Sequence, residues 1–158
     1  MPSETVGFIG LGIMGRPMAL NLMKAGYKLV VTSRSQGPID ALAAAGAKAV
    51  KTPADVAREA DVVVTMVPDT PDVEDVLFAP KGVAEGLKPG TLVIDMSSIS
   101  PIETKRFAKK INTLGCDYLD APVAALLQGL EEVPTDPPEP VNANSNGHST
   151  SLRSVRRS

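Results

Sequence analysis

Short apolar runs alternate with helical segments between residues 6 and about 123, and this alternation predicts an α/β fold with a doubly wound parallel sheet. Residues 62–67 read VVVTMV and are apolar almost throughout, as expected of a strand that helices cover on both faces. Strands joined in this way by helices form parallel pairs with right-handed crossovers. We therefore expect three layers, α/β/α.

Six runs have the composition of strands, and the segments between them carry signals for helix starts. The predicted strands are residues 7–9, 28–33, 47–50, 62–67, 91–95 and 118–120. Thr52-Pro53-Ala54-Asp55 offers an N-cap, a proline at the first helical position and a carboxylate near the positive helix end. Ser100-Pro101-Ile102-Glu103 has the pattern of a capping box with the same proline.

The first predicted strand runs into three spaced glycines, Gly10, Gly12 and Gly15, where a helix begins. Gly10 allows a tight turn, Gly12 lets the backbone approach a pyrophosphate, and Gly15 allows close helix packing. The helix start also directs N–H groups and the positive dipole end at a phosphate. The pattern predicts a dinucleotide-binding turn of Rossmann type, with a tight structural turn as the alternative. The candidate cofactor-binding residues of the turn are Gly10, Leu11, Gly12, Ile13 and Met14.

Further candidate residues follow the other predicted strands. Ligands of a doubly wound sheet lie beyond the carboxyl ends of its strands, where the strand order reverses. The loops that follow these strands should therefore lie together at one edge of the sheet. The candidates from these loops are Ser33, Arg34, Ser35, Met66, Val67, Pro68 and Ser98.

The end of the second predicted strand bears on the choice of cofactor. Proteins that bind NAD usually place an acidic residue there to hold the ribose 2′-hydroxyl. Here the sequence reads Thr32-Ser33-Arg34-Ser35, without a carboxylate. An arginine flanked by two hydroxyl groups suits a 2′-phosphate. We therefore expect NADP, with NAD as a possible cofactor; the alternative is that Arg34 is a solvated loop residue.

Composition limits the other partners. The net charge of −2 leaves no basic stripe for a nucleic acid. The apolar runs are strand-sized, so we expect no membrane span, and the N-terminus lacks the pattern of a signal peptide. Cys116 is the one cysteine, and we interpret it as a small apolar residue just ahead of a strand rather than as a nucleophile. We expect a cytoplasmic protein without a metal site.

The composition changes after about residue 129. The segment is rich in proline, asparagine and serine and poor in aliphatic residues. Such a segment buries too little apolar surface to offset its conformational entropy. We therefore expect a dinucleotide-binding domain at residues 1–123 and a disordered tail at residues 124–158.

Three stretches resemble the 3-hydroxyacid (β-hydroxyacid) dehydrogenases. They are GFIGLGIMGRPMALNLMKAG at residues 7–26, GTLVIDMSSISP at 90–101 and DAPV at 120–123. The likeness covers residues 5–123 and is greatest to the tartronate semialdehyde (2-hydroxy-3-oxopropionate) reductases, followed by the hydroxyisobutyrate dehydrogenases. The resemblance implies that Ser98 contacts the nicotinamide half of the cofactor and that DAPV opens the substrate loop.

The sequence departs from that family after Val123. The family continues with Ser-Gly-Gly, which holds the substrate carboxylate, whereas this chain reads Ala124-Ala125-Leu126. The resemblance also implies a helical domain with the catalytic lysine and most of the dimer interface, and we find no match for it. We therefore assign no catalytic residue and leave the oligomeric state open.

Three hypotheses follow from this departure. We expect a truncated product of a reductase gene. The alternatives are a stand-alone NADP-binding module without turnover and an active reductase completed by a partner chain.

Overall fold

The computed structural model describes residues 2–123 and contains a single parallel sheet, as predicted. The predicted disordered tail at residues 124–158 lies outside the described residues. The strand order is β3-β2-β1-β4-β5-β6, and every neighbouring pair is parallel. The strands are β1 (Thr5–Ile9), β2 (Lys28–Thr32), β3 (Lys48–Ala49), β4 (Val62–Thr65), β5 (Leu92–Asp95) and β6 (Asp117–Asp120).

Five α-helices connect the strands: α1 (Gly15–Lys24), α2 (Gln36–Ala44), α3 (Pro53–Glu59), α4 (Thr70–Phe78) and α5 (Pro101–Asn112). Thr52 caps α3 as predicted, because its hydroxyl oxygen accepts a hydrogen bond from the Asp55 N–H at 3.2 Å. The predicted capping box at Ser100 is wrong. The Ser100 N–H donates to the Thr70 hydroxyl at 3.2 Å, and Glu103 forms an ion pair with Arg106 instead.

Two apolar clusters on opposite faces of the sheet confirm the three-layer arrangement. On β2, Val30 belongs to one cluster while Leu29 and Val31 belong to the other, as the alternation of side chains in a strand requires. The first cluster joins the sheet to α3, α4 and α5, and Phe107 of α5 is fully buried there. The second joins it to α1 and α2, with Leu42 of α2 fully buried. The fold class predicted from the alternating pattern is therefore confirmed.

Several strands end earlier than predicted because side chains take over backbone hydrogen bonds. β4 ends at Thr65, and the Val67 N–H donates to the Ser97 hydroxyl at 3.0 Å. β2 ends at Thr32, and the next residue, Ser33, accepts from the Leu11 N–H at 3.3 Å. These bonds draw the strand ends together at one edge of the sheet. In the described part of the chain, no helix has the length and apolar character needed to cross a membrane.

Candidate functional site

The strand order reverses at β1, because β2 lies on one side of it and β4 on the other. An open cleft of about 680 Å³ lies at the carboxyl ends of these strands, within the range of small-molecule sites. All twelve candidate residues from the sequence line this one cleft: Gly10, Leu11, Gly12, Ile13, Met14, Ser33, Arg34, Ser35, Met66, Val67, Pro68 and Ser98. The topology thus brings together four loops that are far apart in the chain.

The three glycines of the first turn have different surroundings. Gly10 has a φ of +94°, and a Cβ there would overlap the Met66 carbonyl oxygen. A Cβ on Gly15 would overlap the Gly10 carbonyl oxygen, so the start of α1 can approach the turn only without a side chain. Gly12 differs, because a Cβ there would meet no atom within 4 Å. Gly10 and Gly15 are therefore required by packing, whereas Gly12 borders the open cleft.

Helix α1 begins without a side-chain cap. Met14 occupies its N-cap position, and the first turn contains no acidic residue. By contrast, α4 is capped by Asp69, whose carboxylate accepts from the Asp72 N–H at 3.0 Å. The first N–H groups of a helix have no partner within the helix. In α1 the Arg16 N–H donates to the Gly12 carbonyl oxygen at 3.1 Å. Met14 and Gly15 at the start of the helix line the cleft, where the positive end of the helix dipole favours an anion.

Apolar side chains of the same turn divide between core and cleft. Leu11 is buried in the second cluster, so only its backbone is available at the cleft. Ile13 is 94% exposed and Met14 is 45% exposed. Two large apolar side chains thus lie uncovered beside the backbone that faces the open space.

Arg34 has a specific partner, which the sequence did not indicate. Its Nη1 and Nη2 atoms donate to the two carboxylate oxygens of Asp72 on α4, at 2.9 and 3.3 Å. The Arg34 side chain is 76% exposed, so this is an ion pair at the protein surface. Its neighbour Ser33 accepts the Leu11 N–H and keeps its hydroxyl hydrogen for donation. Ser35 is the N-cap residue of α2, but its side chain makes no capping hydrogen bond. This exposed residue also lines the cleft.

A buried carboxylate at the end of β5 supports the β4 side of the cleft. Asp95 is fully buried, and its Oδ1 atom accepts from the Thr65 hydroxyl at 2.9 Å and from the Ser97 N–H at 3.0 Å. Ser97 in turn accepts the Val67 N–H. Asp95 therefore fixes the loop that carries Val67, while Ser98, the next residue after Ser97, is exposed at the cleft.

The second oxygen of Asp95 accepts from the Tyr118 hydroxyl at 2.9 Å. Burial, together with the nearby Asp95 charge, raises the pKa of Tyr118, which keeps the phenol protonated and able to donate. Burial also raises the pKa of Asp120 on β6, and the Asp95 charge adds to the shift. The three donors to Asp95 come from β4, β6 and the loop after β5, so this carboxylate ties the carboxyl ends of neighbouring strands together.

Sequence reasoning missed other residues of the cleft. They include Lys51, which comes shortly after β3, and Asp72 and Asp75, which are three apart on α4. Lys51 could have been found from the rule that parallel strands end at the same edge. The two aspartates face the cleft because residues three apart share one side of a helix.

Cys116 is outside the lining of the cleft. Cys116 is buried, and burial raises the pKa of its thiol, which disfavours the nucleophilic thiolate. No cluster of three or more His, Cys, Asp or Glu side chains within residues 2–123 is arranged to hold a metal ion.

Comparison with known proteins agrees with this geometry. A family model described as the NAD binding domain of 6-phosphogluconate dehydrogenase matches residues 5–132. The chain belongs to this family. It therefore carries an NAD(P)-binding domain, and the match continues past residue 123, where we placed the end of the resemblance.

The curated relatives include the 2-hydroxy-3-oxopropionate reductase of Escherichia coli, which is 55% identical over 128 residues. This alignment covers 80% of the chain and 43% of that reductase. The predicted resemblance to 3-hydroxyacid dehydrogenases is thus confirmed. The chain spans less than half the length of this relative.

Solved structures share the fold. The 3-hydroxyisobutyrate dehydrogenase of Salmonella typhimurium is 32% identical with a TM-score of 0.72, over 76% of this chain and 42% of that one. A structure described as Psf3 in complex with NADP+ and 2-OPP is 31% identical with a TM-score of 0.65, over 72% of this chain and 40% of that one.

Proposed function

We propose that residues 5–123 are the NADP(H)-binding part of a 3-hydroxyacid dehydrogenase-like oxidoreductase that reduces tartronate semialdehyde to glycerate. The 55% identity to a reductase of 2-hydroxy-3-oxopropionate, another name for this aldehyde, supports the substrate class. NADP is the proposed cofactor, and NAD is a possible second one. The proposed location is the cytoplasm, which suits the buried free thiol of Cys116.

The open space at Gly12 is the observation that carries the proposal. Gly12 lines the cleft. A Cβ added to Gly12 would have no atom within 4 Å. The uncapped start of α1 lies in the same turn. A pyrophosphate lying against Gly12 would accept hydrogen bonds from the backbone N–H groups of this turn. The cleft residues therefore fit the coenzyme, and Ile13 and Met14 offer apolar cover beside it.

Arg34 supports NADP as the cofactor. It lines the same cleft as the glycine turn and carries a permanent charge with several N–H donors. A 2′-phosphate on the adenosine ribose would receive charge-assisted hydrogen bonds from this side chain and from the Ser33 and Ser35 hydroxyl groups. A ribose with a free 2′-hydroxyl would gain much less from the arginine.

In the proposed reaction the bound coenzyme supplies the hydride, and the described residues bind and orient it. Reduction of an aldehyde also requires a group that holds the substrate and one that protonates the developing alkoxide. The family resemblance implies that a Ser-Gly-Gly segment holds the substrate carboxylate, whereas this chain reads Ala124-Ala125-Leu126 at that place. We therefore propose that this chain binds the coenzyme without turning over substrate by itself.

Matched glycine variants test coenzyme binding. Gly12→Ala places a methyl group in open space, so we expect it to leave the fold intact. It should weaken NADPH binding by about tenfold or more, because the methyl group keeps the pyrophosphate from the backbone N–H groups. Gly37→Ala is the control, since a Cβ there also meets no atom within 4 Å and Gly37 is outside the cleft lining. The measurement is a calorimetric titration with NADPH, with thermal unfolding of each variant.

Equal NADPH affinities for the Gly12→Ala and Gly37→Ala variants would contradict the proposed binding mode. Failure of the unaltered chain to bind NADPH or NADH at millimolar concentrations would overturn the proposal as a whole. Arg34→Gln tests the choice of cofactor. It should weaken NADPH by about tenfold, because hydrogen bonds to charged groups are worth ~1.5–3 kcal/mol, and should leave NADH within about twofold.

The substrate proposal has its own assay. Tartronate semialdehyde and NADPH are incubated with the chain, and NADPH oxidation is followed by absorbance. We expect the rate of the protein-free control. A rate above that control, abolished by Gly12→Ala, would instead support the alternative that the chain is active, alone or with a partner chain.

A further inference from the structure

The bidentate ion pair between Arg34 and Asp72 crosses from the end of β2 to α4, and both residues line the cleft. The Arg34 side chain is 76% exposed, while that of Asp72 is 23% exposed. The carboxylate is therefore the more fixed member, on a helix, and the arginine reaches it from a loop.

This pairing alters what Arg34 offers to a ligand. A guanidinium group has five N–H donors, and the Nη1 and Nη2 atoms each direct one at Asp72. The Asp72 charge also offsets the positive charge of Arg34. A phosphate that binds Arg34 must therefore displace the carboxylate or share the guanidinium with it, close to a like charge.

The effect differs between the two coenzymes. The 2′-phosphate of NADP adds a charge of about −1.5 to −2 at pH 7. NAD has a neutral hydroxyl group at the same position. Repulsion by Asp72 and competition for Arg34 would therefore weaken the binding of NADP and leave the binding of NAD almost unchanged. Asp72 lies on α4. The acidic residue that usually favours NAD lies instead at the end of the second strand.

We propose that Asp72 is a specificity-determining residue, which restrains the preference for NADP over NAD by pairing with Arg34. This inference rests on the proposed function, since it assumes that the cleft binds a nicotinamide dinucleotide. It predicts that loss of the Asp72 charge makes the site more selective for NADP. A residue with a purely structural role would not strengthen binding of one coenzyme when it is replaced.

The experiment compares Asp72→Asn with Glu74→Gln. Glu74 lies on the same helix and pairs with an arginine, Arg106, at 2.8 Å, but it is outside the cleft lining. Both variants remove one negative charge and one surface ion pair. Dissociation constants for NADPH and NADH are measured by calorimetry, together with those for 2′,5′-ADP and 5′-AMP, which isolate the adenosine half.

Asp72→Asn should tighten NADPH and 2′,5′-ADP about threefold, the scale of a solvent-exposed charge pair. NADH and 5′-AMP should stay within about twofold, and Glu74→Gln should change none of the four. In an Arg34→Gln background, Asp72→Asn should lose most of its effect, because the action passes through Arg34.

Weaker NADPH binding in Asp72→Asn would overturn the inference, because Asp72 would then position Arg34 rather than compete for it. An unchanged NADPH to NADH ratio would also overturn it while leaving the proposed function in place. Absence of binding by the unaltered chain to all four compounds would instead refute the proposed function.

Discussion

Removal of the Tyr118 hydroxyl group tests the role of the buried carboxylate at the end of β5. Tyr118→Phe keeps the ring in the core but deletes the donor that lies 2.9 Å from the Oδ2 atom of Asp95. Among the described residues, Oδ2 has no other hydrogen-bond donor, and Asp95 is fully buried. The variant therefore leaves one oxygen of a buried carboxylate without a partner.

We expect the free energy of unfolding to fall by about 1.5–3 kcal/mol, the range for hydrogen bonds to charged groups. This corresponds to a decrease in Tm of roughly 5–10 °C for a domain of this size. The control is Tyr27→Phe, since the Tyr27 hydroxyl makes no hydrogen bond with the described residues. That variant should lie within about 0.5 kcal/mol of the unaltered chain.

Urea denaturation followed by circular dichroism measures both variants. Equal losses in the two variants, or a loss in Tyr118→Phe below about 0.5 kcal/mol, would show that the Tyr118 hydrogen bond does not stabilise the fold. Asp95 would then not depend on Tyr118, and the support that we assign to the cleft from β6 would be absent.

Three further changes have defined outcomes. Gly15→Ala should lower Tm and abolish coenzyme binding together, because its Cβ overlaps the Gly10 carbonyl oxygen; an unchanged Tm would count against the close approach of α1 to the turn. Thr52→Ala should cost ~1 kcal/mol in urea unfolding through loss of the cap on α3, and no cost would mean that the cap is dispensable. Asp120→Asn should raise Tm at pH 7, because the pKa of Asp120 is raised by burial and the folded state disfavours its charged form. That gain should shrink as the pH falls and should vanish below the ordinary pKa of 3.8, where the carboxyl group is protonated in both the folded and the unfolded state. A pH-independent gain would mean that burial of the Asp120 charge is not its cause.

The sheet was predictable from the sequence because local patterns determine it. A strand covered on both faces must be apolar along its length, so Val62–Thr65 was evident as β4. The order of the strands at the glycine turn also follows from general rules for parallel sheets. Strand ends were less predictable, because Ser33 and Ser97 replace the backbone as hydrogen-bond acceptors there.

The polar contacts of the cleft were not predictable, because each joins residues far apart in the chain. Arg34 and Asp72 are 38 positions apart, and Thr65 and Asp95 are 30 apart. No local sequence pattern indicates a contact between residues so far apart in the chain. Asp95 carried one usable signal, since a carboxylate closes the apolar strand Leu92–Asp95 and must find donors if it is buried. Ser100 illustrates the converse, because Thr70 satisfies the N–H that Glu103 was expected to cap.

A crystal structure of the chain soaked with NADP+ would show whether the glycine turn binds the coenzyme. We expect a pyrophosphate within hydrogen-bonding distance of the backbone between Gly12 and Met14, with the 2′-phosphate at Arg34. An empty cleft at saturating coenzyme, or a coenzyme bound away from the turn between β1 and α1, would show that this turn is not the binding site.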